Sequence, residues 1–205
     1  ALENPMGGRV LPQDYVKAAT SLAHSRGLAT HLDGARIANA AVKQGISLRE
    51  AVQGFDTVSV CLSKGLGAPV GSVLLGPKAF IEQGKRWRKM LGGGMRQAGV
   101  LAAAAQHALE HNVERLAEDH DNAAALASGL SQIAALKVGV PQTNIFWLDI
   151  PPAACAPLRQ ALERARIRAS IGPRTRLVTH LDVSSADVAR TVEAVSYTHL
   201  RAHET

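Results

Sequence analysis

The stretch Asp56-Thr57-Val58-Ser59-Val60-Cys61-Leu62-Ser63-Lys64-Gly65-Leu66-Gly67-Ala68-Pro69 carries the reading of the whole chain. Val58, Val60 and Leu62 alternate, so residues 56–62 read as a buried strand that delivers Ser63 and Lys64 at its C-terminal edge. Gly65 and Gly67 let the backbone turn and leave space around the ammonium group. A lysine so placed loses part of its hydration, which is what a carbonyl-binding lysine needs. The competing reading is an ordinary surface lysine that happens to follow a strand.

Working outward, Leu28-Ala29-Thr30-His31-Leu32-Asp33 forms a second short apolar strand, and it ends in Asp33-Gly34-Ala35-Arg36. Asp33 and Lys64 stand about 30 residues apart, the length of a right-handed strand-helix-strand crossover. Two parallel strands then put a carboxylate and a lysine at one edge of one sheet, where open α/β sheets bind their ligands. A carboxylate can keep a pyridine nitrogen protonated while a lysine holds the aldehyde carbon of the same ring, the two contacts that pyridoxal 5'-phosphate requires. Taken alone, Asp33 reads equally well as an N-cap for a helix starting near Ala35.

Four segments together resemble the low-specificity L-threonine aldolases, pyridoxal-phosphate lyases of the aspartate-aminotransferase fold type (fold type I). They are His31-Leu32-Asp33-Gly34-Ala35-Arg36, Val60 through Ser72, Arg88 through Gln97, and Leu177-Val178-Thr179-His180-Leu181-Asp182-Val183-Ser184. The resemblance covers residues 1–195. It implies that Lys64 is the catalytic lysine that binds the cofactor and that Asp33 pairs with the pyridine nitrogen. Arg36 would lie near the phenolic oxygen and, with Arg176, clamp the substrate carboxylate. Ser63, Lys89 and Arg96 would meet the phosphate, the last two from a basic glycine-rich stretch that a neighbouring subunit could present. The implied reaction is retro-aldol cleavage of L-threonine or L-allo-threonine to glycine and acetaldehyde, in a homodimer or homotetramer. A related β-eliminating lyase and a non-catalytic interaction fragment are the alternatives. Pro5-Met6 departs from the Thr-His of many relatives. The resemblance also places the phosphate loop, the ring-stacking residue and the aldol base upstream of Ala1, so the chain alone is expected to be inactive.

Bulk composition agrees with an enzyme core. Hydrophobic residues make up 46% of 205 residues, enough to build one. No segment has the unbroken apolar length of a membrane span. The net charge of +6 raises the question of a nucleic-acid partner, but the basic residues are scattered and aromatics are 3%, so no stacking patch exists. Two cysteines, Cys61 and Cys155, give no disulfide framework and no metal spacing, which fits the cytoplasm. His199 and His203 have helical spacing but no third ligand, so no metal is assigned.

Periodicity predicts an α/β chain in two parts, residues 1–112 and a smaller α/β domain at residues 113–195; the resemblance implies that residues 1–112 are the C-terminal part of a cofactor-binding large domain. Helices are predicted at 13–25, 35–43, 48–53, 78–89 and 97–111, with strands at 28–33, 56–62 and 70–75. A long helix from Val113 carries Leu116, Ala123, Leu126, Leu130 and Ile133 as an apolar stripe. Strand 144–150, helix 156–166, strand 177–182 and helix 185–195 follow. Residues 196–205 look like translated adapter sequence and are set aside. His31 reads as a core histidine, His107, His111 and His120 as helix-surface residues, and His180 as a packed strand residue. None is assigned as the aldol base.

Overall fold

Small apolar side chains and short crossovers build the first half of the molecule into a mostly parallel sheet. The computed structural model describes the backbone of residues 2–3 and 7–201 and the side chains of residues 7–196. Pro5-Met6 and His203 lie outside the described residues, as does the side chain of His199. The chain divides into two units, residues 10–116 with the first five residues, and residues 117–205 with residues 6–9.

In the first unit, β1 (Leu2–Glu3), β2 (His31–Gly34), β3 (Thr57–Cys61) and β4 (Ser72–Leu75) lie side by side in that order. β1, β2 and β3 are parallel, and β4 closes the edge antiparallel to β3. Four helices belong to this part: α1 (Gln13–Ser25), α2 (Ile37–Gln44), the short α3 (Leu48–Ala51) and α4 (Lys78–Met90). A fifth, α5 (Gly99–His111), completes it. α2 is buried from Ile37 through Ala41, because its small alanines fit between two clusters. One cluster joins Leu32, Ile37, Ala40, Ala41, Ala51 and Val58. The other joins Ala38, Leu62, Leu66, Ala68, Ala105, Ala108 and Leu116. α2 stops at Gly45, whose φ of 65° is the left-handed closure that glycine allows. α3 starts with a reciprocal capping box between Ser47 and Glu50.

The strand expected to be fully buried is not. Within β3 only Val58 is buried, and all four residues of β4 are exposed. An apolar cavity of about 460 Å³ lies over Val58, Val60, Leu62, Val73 and Leu75, so that face of the sheet is not filled. α4 buries none of its residues.

The second unit is a three-stranded antiparallel sheet, β5 (Lys137–Val138), β6 (Ile145–Asp149) and β7 (Arg174–Val178), in that order. With it go α6 (Leu116–Ser131), α7 (Pro152–Arg164) and α8 (Ser185–Arg201). Phe146, Leu130, Leu148, Leu158 and Leu162 lead its core. The stripe read along α6 splits: Ala123, Leu126, Leu130 and Ile133 enter this core, whereas Leu116 is fully buried in the first unit. β7 begins three residues before the predicted strand, and β5 was not predicted. α8 continues as backbone helix through Arg201, into the segment set aside in the sequence reading. His120, expected on a helix surface, is buried, and His180 lies past the end of β7 with its side chain half exposed.

Candidate active site

The parallel pairing of β2 with β3 decides what meets what. His31 pairs with Thr57, Asp33 with Ser59 and Gly34 with Val60, so both strands end at the same edge of the sheet. Asp33 leaves β2 there, and Ser63 and Lys64 follow the end of β3 there. This is the edge at which parallel α/β sheets present their ligand-binding loops.

The lysine loop is built as an anchored arch. Leu62, Leu66 and Ala68 are buried in one cluster, and Ser63 and Lys64 between them are exposed. Backbone bonds close the arch: Leu62 N donates to Gly71 O at 3.0 Å, Ala68 N to Leu62 O at 3.0 Å and Gly67 N to Lys64 O at 2.8 Å. Asn112 Nδ2 from the end of α5 donates to Leu66 O at 2.8 Å. One of the two glycines does the job read in the sequence and the other does not. Gly67 adopts φ 74°, which closes the turn. A side chain on Gly65 would meet Leu116 Cδ2 at 3.0 Å and Asn39 Oδ1 at 3.1 Å, so Gly65 permits close packing rather than space for the ammonium. Lys64 is accordingly solvent-exposed and not desolvated as the sequence reading expected.

Asp33 is half-buried, and its Oδ1 accepts from the backbone amide of Ala35 at 3.1 Å. That Asx turn steers the chain from β2 toward α2. It is not the N-cap of the helix: Arg36 holds that position, without a side-chain cap. Asp33 Oδ2 meets no donor among the described residues, which leaves it able to take a ring N–H. His31, on the same strand face, is committed elsewhere, with Nδ1 2.8 Å from Thr57 Oγ1.

The sequence reading gave Cys61 no role beyond excluding a disulfide framework and a metal site. Its Sγ lies 3.4 Å from Ser63 Oγ. Partial burial pushes the thiol up, but hydrogen bonds with Ser63, the positive charge of Lys64 and a hydrogen bond with Ser72 outweigh it, so the net shift is downward.

Asp33, Arg36, Ser63 and Lys64 are thus gathered at one sheet edge. Lys89 and Arg96 are not joined to them by any hydrogen bond or ion pair among the described residues. Lys89 lies in the last turn of α4, where its stem packs over Gly94, and Arg96 follows in an exposed turn. Arg176 belongs to β7 of the second unit. An amine and a carboxylate with an unfilled oxygen on neighbouring strand ends are the donor set that a pyridinium aldehyde requires, so the residues fit pyridoxal phosphate.

The family model described as beta-eliminating lyase matches residues 2–151. The chain belongs to the beta-eliminating lyase family. Within that family it is 47% identical over 189 residues to the low specificity L-threonine aldolase of Escherichia coli (strain K12), covering 92% of this chain and 56% of the relative. It is 41% identical over 205 residues to low-specificity L-threonine aldolase 1 of Arabidopsis thaliana, covering 97% of this chain and 57% of the relative. The chain therefore spans little more than half the length of these two relatives. Among solved structures, the threonine aldolase of Leishmania major superposes with a TM-score of 0.72 at 16% identity, over 96% of this chain and 59% of that one. At that identity the likeness establishes the shared α/β fold.

Proposed function

We propose that this chain carries the lysine half of a pyridoxal-phosphate site that cleaves L-threonine or L-allo-threonine to glycine and acetaldehyde. The observation that carries the reading is the delivery of Asp33 and Lys64 to one sheet edge by adjacent parallel strands. The similarity to threonine aldolases supports the substrate class.

Lys64 Nζ would hold the coenzyme's aldehyde carbon, and Asp33 Oδ2 would keep a proton on the ring nitrogen. The chemistry such a coenzyme supplies is an electron sink for the pair released when the Cα–Cβ bond breaks. Asp33 favours that flow because a fixed negative charge beside the ring nitrogen stabilises the protonated form. Arg36 and Arg176 are the groups suited to the substrate carboxylate, since a guanidinium binds a carboxylate in bidentate fashion and fixes orientation. Ser63, Lys89 and Arg96 are the candidates for the phosphate. The anchored arch matters because a lysine held between two buried leucines keeps its position. The cytoplasm is the compartment proposed, a reading supported by the two free cysteines. A homodimer or homotetramer is the assembly proposed.

The test is covalent mapping. The chain is incubated with pyridoxal phosphate, reduced with borohydride and digested, and the label is expected on Lys64. A label distributed over other lysines, or unchanged in Lys64→Ala, overturns the assignment. The family's name supplies a second reading, β-elimination. Product analysis with a protein that carries both halves of the site separates the two: glycine and acetaldehyde support the aldol reading, and ammonia with a keto acid supports elimination.

A further inference from the structure

The end of α7 breaks a local rule. The helix closes by a paired motif in which Arg166 N donates to Glu163 O at 2.9 Å and Ile167 N to Leu162 O at 2.8 Å. The residue after the cap in that motif is left-handed and is normally glycine. Here it is Arg166, with φ 58°, the one non-glycine residue of positive φ among the described residues. A residue with a side chain is disfavoured in that conformation, and such outliers concentrate where a side chain is needed in place.

What Arg166 lines is an open cleft of about 750 Å³. Arg159, Arg168 and Ser170 share its wall, over Leu162 and Ile167. Arg159 is held in position, with Nη2 donating to Ile171 O at 3.1 Å. No ion pair engages Arg159, Arg166 or Arg168 among the described residues, although Glu163 also lines the cleft. Three guanidinium groups against one carboxylate leave a positive surplus, and the cleft's size falls within the range of small-molecule sites. Guanidinium forks match phosphate oxygens in bidentate fashion. The leucine and isoleucine beneath offer contact to an organic portion. Among the described residues no aromatic side chain lines the cleft, so they offer no stacking surface of the kind a single-stranded nucleic-acid site uses.

We propose that this cleft binds a phosphate-bearing small organic anion, at a place separate from the lysine site. The identity of residue 166 then trades backbone comfort for a ligand contact. Isothermal titration of the full chain at physiological salt tests it, with ATP and inorganic pyrophosphate as probes. One saturable site is expected for both, tighter for ATP. Arg166→Gly is expected to raise the melting temperature, since glycine suits the left-handed position, while weakening binding at least about tenfold, as loss of a charged hydrogen-bonding group does. Arg168→Gln is expected to weaken binding similarly. The double variant Lys64→Ala/Arg96→Ala is expected to bind both probes unchanged. Absence of saturation, or unchanged affinity in Arg166→Gly and Arg168→Gln, overturns the proposal. So does loss of binding in the Lys64/Arg96 variant, which assigns the anion to the coenzyme residues and leaves the proposed function standing.

Discussion

Cys61 reports on Lys64. The ammonium is one of the influences that lower the Cys61 thiol, together with Ser63 and Ser72. Replacing Lys64 by alanine should therefore raise the thiol's pKa and slow its alkylation at mildly alkaline pH. Iodoacetamide labelling followed across pH checks this, with buried Cys155 as the slow internal reference; an unshifted profile means that Lys64 lies too far from Cys61 to act. Gly65 is testable in the same loop. An added methyl presses on Leu116 and Asn39, so Gly65→Ala should destabilise by about 1–3 kcal/mol, measured by urea unfolding. The acid and the amine were legible from sequence, because each ends a short apolar run before a glycine. The packing role of Gly65 was not, since Leu116 and Asn39 approach it from distant parts of the chain.

At the scale of elements, α1 is fastened to the start of β3 by a polar staple. Asp56 Oδ2 accepts from the Thr30 amide at 2.7 Å and the Thr30 hydroxyl at 2.9 Å, and lies 3.0 Å from His24 Nε2. Those bonds, the Thr30 amide first, then His24 and the Thr30 hydroxyl, hold the Asp56 carboxyl down from 3.8 to about 2. Its folded pKa is below its unfolded one, so the stabilisation is present above about pH 4 and is lost as pH falls through about 2. Asp56→Asn should lower the melting temperature near neutrality and flatten its fall between those pH values; a parallel profile for variant and parent contradicts this. The staple also explains why β2 begins at His31 and not at Leu28: Thr30 is occupied in it. α6 and α8 meet as closely, because a side chain on Gly129 would press into Val192. Gly129→Ala should destabilise the second unit by about 1–3 kcal/mol on urea unfolding. β7 starts earlier than its apolar letters suggest, since Thr175 is buried and Arg174 stacks over Trp147 at 5.0 Å. Neither reads as strand core by hydropathy.

For the molecule as a whole, the two units differ in how well they cover their apolar surface. The second has one continuous core around Phe146. The first leaves Val73, Leu74, Leu75, Phe80, Trp87, Met90 and Leu91 exposed along β4 and α4. Exposed apolar side chains in such number bind hydrophobic dyes. Anilinonaphthalene sulfonate fluorescence should rise with the native chain and fall in Val73→Thr/Leu75→Thr; equal emission from both places the dye elsewhere. Local signals carried by neighbouring letters, namely period, glycine punctuation and strand ends, were enough for the α/β class, for most of the elements and for the placing of Asp33 and Lys64 at strand ends. Tertiary structure alone decided that Lys64 stands exposed on an arch pinned by Leu62 and Leu66, that Leu116 packs with the first unit, and that an arginine occupies the left-handed end of α7. Each depends on which distant residues share a cluster or how a helix closes, and no local pattern encodes that.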